Sequence, residues 1–493
     1  MTITPTRIYS REDWSSAFVN VQEELTNVTL NPARGEIPTD LKGTFYRNGP
    51  GRLERNGYRV HHPFDGDGMI AAMRFENGAV AFTNRFVRTE GWLAEEKAGK
   101  VLYRGVFGSQ KPGGRFSNAF DLRLKNIANT NVVRLGDQLL ALWEAAEPYT
   151  MDPVSLDTRG LSHLNGVLKK GESFSAHPRF DPSHQERPRM VTFGVKTFPP
   201  FPSSTIRLME FATDGPDAGA LLNDRSDKFP CFAFLHDFAI TPNWAVFLQN
   251  SLSFDPFPFV TGRKGAAQCL ASRPGGKGQF WLIPRDSGRF AGKEPLIIKA
   301  PSGFVFHHLN AFEEGNDIII DSIVYDSFPL IGPDDDFTQV DFDNLPEGIL
   351  HRCHLDLSRR IVQKNERITS RTCEFAMVNP LRQGLSARYA WMAVAEREVG
   401  NDPLQAIQKL DLITGNTRTW SAAPRGFVSE PLMVSRPGVS VEDDGWVLDI
   451  VWNGARKASD LVILDASDLS EVALFELPLA IPHGLHGSWA EFP

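Results

Sequence analysis

Along most of the chain, apolar and polar residues alternate with period two or gather into short apolar runs between turn residues. Both patterns are strand signatures. Strands are predicted at 70–76, 79–88, 131–144, 190–197, 205–211, 244–249, 280–284, 317–325 and 389–395. Three stretches read as hairpins. Val132–Leu135 and Gln138–Trp143 flank Gly136-Asp137, Gln408–Leu412 and Asn416–Trp420 flank a Thr-Gly turn, and Leu461–Leu464 and Val472–Leu477 flank Asp465–Glu471. Glycine suits such turns because they need φ > 0. Helical spacing is confined to 91–100 and to part of 10–25. Many short strands over roughly 450 residues, with no helical half, point to an all-β architecture, and a β-propeller protects strand edges by radial repetition. No tight sequence period marks the blades. Their number is not derivable from the pattern.

Composition changes this picture little. The chain has 493 residues, 41% apolar and 23% charged, an ordinary globular balance. No linker or low-complexity block divides it, so 1–493 reads as one propeller domain with 1–33 as an extension packed on or near it. A net charge of −8 argues against nucleic acid as a partner. Cys231, Cys269, Cys353 and Cys373 form no CxxC pair and read as buried free thiols of a reducing compartment. The N-terminal residues show no apolar signal segment, and no apolar run approaches the roughly 20 residues of a membrane span. Phe outnumbers Tyr 35 to 7, which suits a dry core and, secondarily, a dry tunnel for an oily ligand.

Among twelve histidines, four sit in apolar or turn contexts that could face inward: His177 in SAHPRF, His236 in FLHDF, His307 in FVFHHLN and His486 in LHGSW. No HExxH or HxH spacing joins them, and a lone histidine is more often a core or surface residue than a ligand. A propeller alters that weighing, because its inner strands converge on one axis. An all-imidazole set suits iron, zinc or copper, and carboxylates beyond the rings could orient them. Glu144, Glu374 and Glu430 are the candidates, each in an apolar stretch where a lone carboxylate is costly; ion-paired or surface glutamates are the alternative. HHPFDGDGMI at 61–70 fails as an EF-hand and reads as a tight turn. No nucleotide fingerprint or nucleophile elbow appears. Phe- and Pro-rich clusters at 198–202 and 254–260, and the apolar and basic mixture of 101–124 (Phe107, Phe116 and Phe120 with Arg104, Lys111, Arg115 and Arg123), suit a monotopic membrane contact or core packing equally.

The stretch LKGTFYRNGPGRLERNGYRVHHPFDGDGMI (41–70) closely resembles the N-terminal signature of the carotenoid cleavage oxygenases. The resemblance continues through RLKNIANTNVV, LLALWE, SAHPRFDP, FLHDFAITP, FVFHHLNAFEE, FDNLP, GFVSEP, EDDGW and LHGSW, from about Arg34 to Trp489. Within the family it is most similar to the bacterial apocarotenal 15,15′-oxygenases, which form retinal; GVFGSQ (105–110) fits that branch. The resemblance implies a seven-bladed β-propeller with iron(II) on its axis. It implies His177, His236, His307 and His486 as ligands, Glu144, Glu374 and Glu430 behind them, and Thr130 obstructing one coordination position. Trp143, Phe234 and Phe306 correspond to aromatic tunnel residues. His308 and His483 are not expected to be ligands.

The implied reaction adds dioxygen across a central double bond of an apocarotenal and releases retinal and a second carbonyl product. No protein acid or base is required. A cytoplasmic enzyme attached peripherally to the membrane by an apolar patch, with no obligate protein partner, is the expectation. Another bond or substrate preference (an intact carotenoid or a stilbene), a non-catalytic carotenoid binder and a calcium-dependent propeller hydrolase are the competing readings.

Overall fold

The computed structural model describes residues 8–198, 203–272, 276–286, 288–330, 332 and 335–492. Seven antiparallel sheets make the blades of a β-propeller. Blade 1 holds Gly43–Arg52, Asp67–Glu76 and Ala79–Phe86. Blade 2 runs from Asn131–Leu135 to Thr158–Leu161, blade 3 from Arg179–Asp181 to Leu221–Phe229, and blade 4 from Ala239–Ile240 to Leu296–Lys299. Blade 5 runs from Phe304–Glu314 to Ile361–Arg367 and blade 6 from Cys373–Val378 to Thr417–Ser421. Blade 7 is built on Gly445–Asn453, Ala458–Asp465 and Glu471–Glu476, with Gly426–Phe427 and Leu432–Ser435 both pairing to the first of these.

The strand burial follows from this stacking. Blades pack face to face, so a middle strand is covered on both sides and reads as an apolar run, as in Asp317–Tyr325 (DIIIDSIVY). Outer strands lose that cover: Ile361–Arg367 and Thr417–Ser421 are largely exposed and mostly polar. The core is therefore a set of clusters between neighbouring blades, such as Phe193, Phe238, Phe247 and Trp281 between blades 3 and 4. The three predicted hairpins form, with Gly136 (φ 61°) and Gly415 (φ 75°) in their turns.

Both ends of the chain close the ring. Gly487–Ala490 adds the innermost strand of blade 1, antiparallel to Gly43–Arg52. Residues preceding blade 1 add outer strands to two blades: Val28–Leu30 to blade 1 and Arg34–Gly35 to blade 7. The helix expected within 10–25 is only Arg11–Ser15. Its Asp13 accepts from Arg425 at 2.7 Å, and the Asp13 carbonyl accepts from the Trp452 indole at 2.9 Å. The helix expected at 91–100 spans Glu90–Ala98, capped by the Thr89 hydroxyl and by Gly99 at φ 60°.

Irregular segments roof one end of the propeller. Residues 101–125 and the insertion of blade 4 around Pro256–Val260 meet there, each carrying a five-residue helix too short for periodicity to register. Buried Arg104 ties them, donating to the carbonyls of Asn118, Asp121, Phe259 and Lys264 at 2.7–3.3 Å. Phe116 is 96% exposed and Phe120 81%, with Leu122 and Phe257 also outward. Phe107 departs from the others in 101–124: it is half-buried against His62 and Phe64. The 198–202 cluster lies outside the described side chains. No helix among the described residues is long and apolar enough to cross a membrane. Cys269, Cys353 and Cys373 are buried free thiols, but Cys231 is only half-buried, at the edge of the cluster between blades 3 and 4.

Candidate metal centre

All seven blades contribute one imidazole or one carboxylate to the axis. His486 directly precedes the inner strand of blade 1, His177 and His236 lie just before those of blades 3 and 4, and His307 is in that of blade 5. Glu144 belongs to blade 2, Glu374 to blade 6 and Glu430 to blade 7. One potential ligand atom from each of the four histidines falls within 4.8 Å of all the others. His177 Nε2 is 3.0 Å from His236 Nε2, which is 3.3 Å from His307 Nε2.

Local irregularities aim these groups. In blade 5 the register passes from Val305 opposite Val324 to His308 opposite Ser322, so Phe306 and His307 stand against Ile323 alone. This bulge turns His307 to the axis and leaves His308 in the ladder. His308 is buried, with Nδ1 2.7 Å from the Ser322 hydroxyl. In blade 6 a second bulge follows Glu374. There Phe375 takes φ 54°, uncommon for a bulky residue, and its N–H donates to Glu374 Oε2 at 2.8 Å. His483 lies off the axis, its Nε2 3.3 Å from the Trp14 carbonyl and its ring among Trp14, Phe18 and Phe427.

Three rings are held from behind. His236 Nδ1 is 3.0 Å from Glu144, His307 Nδ1 2.6 Å from Glu374 and His486 Nδ1 2.8 Å from Glu430. A carboxylate accepts, so it keeps the proton on Nδ1 and leaves a lone pair on Nε2. Glu374 also accepts from the Tyr325 hydroxyl at 2.6 Å. Glu430 accepts from the buried Arg47 guanidinium at 3.0 Å and from Gly487 N–H at 2.8 Å. Burial pulls both carboxyls upward, but His307 for Glu374, and His486 with Arg47 for Glu430, hold them below the ordinary range. Burial and the three neighbouring rings keep His177 far below its usual value. Burial also lowers His486 against the pull of Glu430. His307 goes the other way: burial opposes, and Glu374 prevails in raising it. Converging nitrogen lone pairs repel one another unless a cation lies among them, so the donor set fits a metal ion, and imidazole suits a transition metal.

The predicted tunnel residues gather beside this cluster. Thr130, Trp143, Glu144, Phe234, His236 and Phe306 line a cavity of about 340 Å³ that reaches His307 and His486. The Thr130 hydroxyl donates to Asn129 and its carbonyl accepts from His486 N–H at 3.1 Å. Phe306 meets the His236 ring edge-on at 5.5 Å. Phe254, from the 254–260 cluster, also lines it, as do Phe64, Phe232, Phe375 and Tyr325, which escaped the sequence reading; Arg47 behind Glu430 escaped it too. Tyr325 ends a largely apolar strand in a chain with seven tyrosines, a signal that could have marked it.

A propeller whose axis carries four histidines beside an aromatic cavity defines a narrow class of oxygenase. The sequence profile of the RPE65 family, described as retinal pigment epithelial membrane protein, matches residues 18–491, and the chain belongs to this family of carotenoid oxygenases. It is 46% identical over 491 residues to the apocarotenoid-15,15′-oxygenase of Synechocystis sp. (strain ATCC 27184 / PCC 6803 / Kazusa), covering 98% of this chain and 97% of that one. It is 30% identical to lignostilbene-alpha,beta-dioxygenase isozyme III of Sphingomonas paucimobilis, over 93% and 92% of the two chains. The crystal structure of cobalt-substituted Synechocystis ACO superposes with a TM-score of 0.94 at 45% identity, covering 99% of this chain and 100% of that one.

Proposed function

We propose that the protein is a non-haem iron(II) dioxygenase that cleaves the 15,15′ double bond of apocarotenals, giving retinal and a second carbonyl product. The observation that carries this reading is the contact between the four-nitrogen cluster and the aromatic cavity. His177, His236, His307 and His486 would hold iron, with Glu144, Glu374 and Glu430 fixing three of the rings. Iron(II) on neutral imidazoles supplies the redox chemistry that activates dioxygen toward a double bond. The protein's part is positioning. Phe234, Phe306 and Trp143 bind the polyene and exclude water, and Thr130 crowds one side of the nitrogen cluster. No proton needs to move at a protein atom for a carbon–carbon double bond to become two carbonyls.

A hydrocarbon chain suits the aromatic wall formed by Phe64, Phe107, Trp143, Phe232, Phe234 and Phe306. The substrate partitions into bilayers, and Phe116, Phe120, Leu122 and Phe257, near the basic Arg115, Arg123 and Arg263, form an exposed patch on the roof of the same cavity. We read this patch as a peripheral contact with a membrane on the cytoplasmic side. Loss of flotation with carotenoid-containing liposomes after Phe116→Ser and Phe120→Ser is the expected outcome; unchanged flotation removes this patch from the reading.

The test of the reaction is aerobic incubation of iron(II)-loaded protein with β-apo-8′-carotenal in mild detergent, with products separated by chromatography and identified by mass. Retinal with matching oxygen uptake, abolished in His236→Ala, is expected. A different aldehyde keeps the chemistry and moves the bond. No product from protein that binds both iron and the apocarotenal makes it a binder.

A further inference from the structure

The four histidines stand between two cavities, one walled by aromatic rings and the other carrying more polar groups among its apolar ones. The aromatic cavity lies on one side. On the other is a cavity of about 1120 Å³, some three times larger, bounded by residues in or beside the innermost strands of all seven blades. It reaches the surface at Asp214, Gly438 and Glu491. His307 and His486 border both spaces, His236 only the aromatic one, and His177 only the larger one.

The two routes are not equivalent for an ion. A divalent cation carries a tightly held water shell, and stripping it against a wall of phenylalanines costs far more than moving it through a wide space that keeps the shell. The larger cavity offers the Ser435 hydroxyl, the Asp137 carboxylate and, at its mouth, the Asp214 carboxylate that is also paired with Arg187 to a hydrated ion. Its arginines do not stand free against one: Arg179 is paired with Asp237, Arg436 with Asp40 and Asp444, and Arg134 is tied to the carbonyls of Gly136 and Glu491. The histidine on this side is also the one without a carboxylate behind it. Among the described residues the His177 ring makes its hydrogen-bond contact through Nε2, to His236, whereas the other three are fixed through Nδ1.

We propose that the larger axial cavity, bordered by His177, His307 and His486, is the path by which the divalent metal reaches the four nitrogens. The metal and the oily substrate then approach the same point from opposite faces. This rests on the four-histidine cluster being a metal site.

The experiment measures cobalt(II) uptake by chelator-stripped protein, quenched with excess chelator at timed intervals and counted by elemental analysis. Ser435→Cys, on the wall of the larger cavity, and Ala218→Cys, nearer its mouth, are each capped with a bulky thiol-exchange reagent; capped wild type controls for the native cysteines. Ala266→Phe, or β-apo-8′-carotenal added under nitrogen, fills the aromatic cavity instead. Capping should slow uptake by at least about tenfold without lowering final stoichiometry, and reductant should restore the rate; the aromatic plugs should change it by less than about twofold. Unaltered uptake with both cysteines capped overturns the path, as does equal slowing by an aromatic plug. Wild type that takes up no cobalt overturns the metal site itself, which separates the two failures.

Discussion

His307 and His308 are neighbours in the chain and belong to different parts of the molecule. His307 faces the axis with Glu374 behind it; His308 is packed inside blade 5 against the Ser322 hydroxyl. His486 and His483 repeat the contrast three residues apart, one backed by Glu430, the other close to a backbone carbonyl among aromatic rings. The imidazole is the same in all four. What differs is the ring's partner and the backbone that aims it: a carboxylate on Nδ1 of His307 and His486, a hydroxyl on Nδ1 of His308, a carbonyl near Nε2 of His483. A carboxylate prepares Nε2 to hold a cation, whereas a hydroxyl or carbonyl merely satisfies a core residue. Burial pushes His308 and His483 each down to about 4, so both stay neutral in the fold at ordinary pH.

The contrast breaks most visibly at the adjacent pair. His307→Ala should abolish stoichiometric metal, and it should also cost stability in the stripped protein, since buried Glu374 loses the ring that holds it ionised. His308→Ala should keep the metal and lose about 2 kcal/mol of stability, since it empties a buried, hydrogen-bonded site. The reverse pattern, by elemental analysis and urea unfolding, would sink the distinction.

Behind His486, Arg47→Met should cost about 3–5 kcal/mol, because it leaves the buried carboxylates of Glu430 and Asp449 without their cation. Asp449 is already raised to about 7 by burial, with Arg47 opposing, so the loss should be smaller at pH 5.5 than at pH 8, where that carboxyl must ionise. Thermal unfolding across this range checks both size and slope.

Two of the carboxylates, Glu430 and Glu144, should be unequal. Glu430→Gln should weaken metal binding by about 10–100-fold. Glu144→Gln should fall near the low end of that range: its side chain is 30% exposed, and no cation backs it among the described residues. Competition against a chelator of known affinity ranks them, and equal losses would show that the backing cation is irrelevant.

The smallest effect belongs to the core histidine. His483 is held below 6.5 in the fold, so acidification protonates the unfolded chain first and stability falls as pH drops from about 6.5 toward 4. His483→Phe removes this slope. Its unfolding midpoint relative to wild type should improve between pH 7.5 and pH 5 by on the order of 1 kcal/mol. A constant difference would mean that His483 is not buried neutral.

Strands were the most legible part of the chain, because alternation and short apolar runs are local properties. Blade number was not: it depends on pairings such as Gly43–Arg52 with Gly487–Ala490, which no window of sequence contains. The four histidines were visible as candidates, but residue chemistry alone favoured a structural role for each, and the choice of His307 over His308 rests on family register. The physical reason is the bulge at Phe306 and His307, a two-against-one mismatch that hydrophobic pattern cannot show. Arg47 was hidden for a related reason. In YRNGPGR it looks like one more surface cation, and only the axis places Glu430 beside it.

Ring closure has a consequence in time. Three of the four nitrogens are present once residue 307 has been made, but the fourth arrives on the segment that seals blade 1, after the strands of every other blade have been made. A growing chain can therefore offer at most an incomplete nest of imidazoles, and it acquires its full set in the same event that makes the propeller a closed circle. Capture of a metal by all four rings would thereby be coupled to completion of the fold.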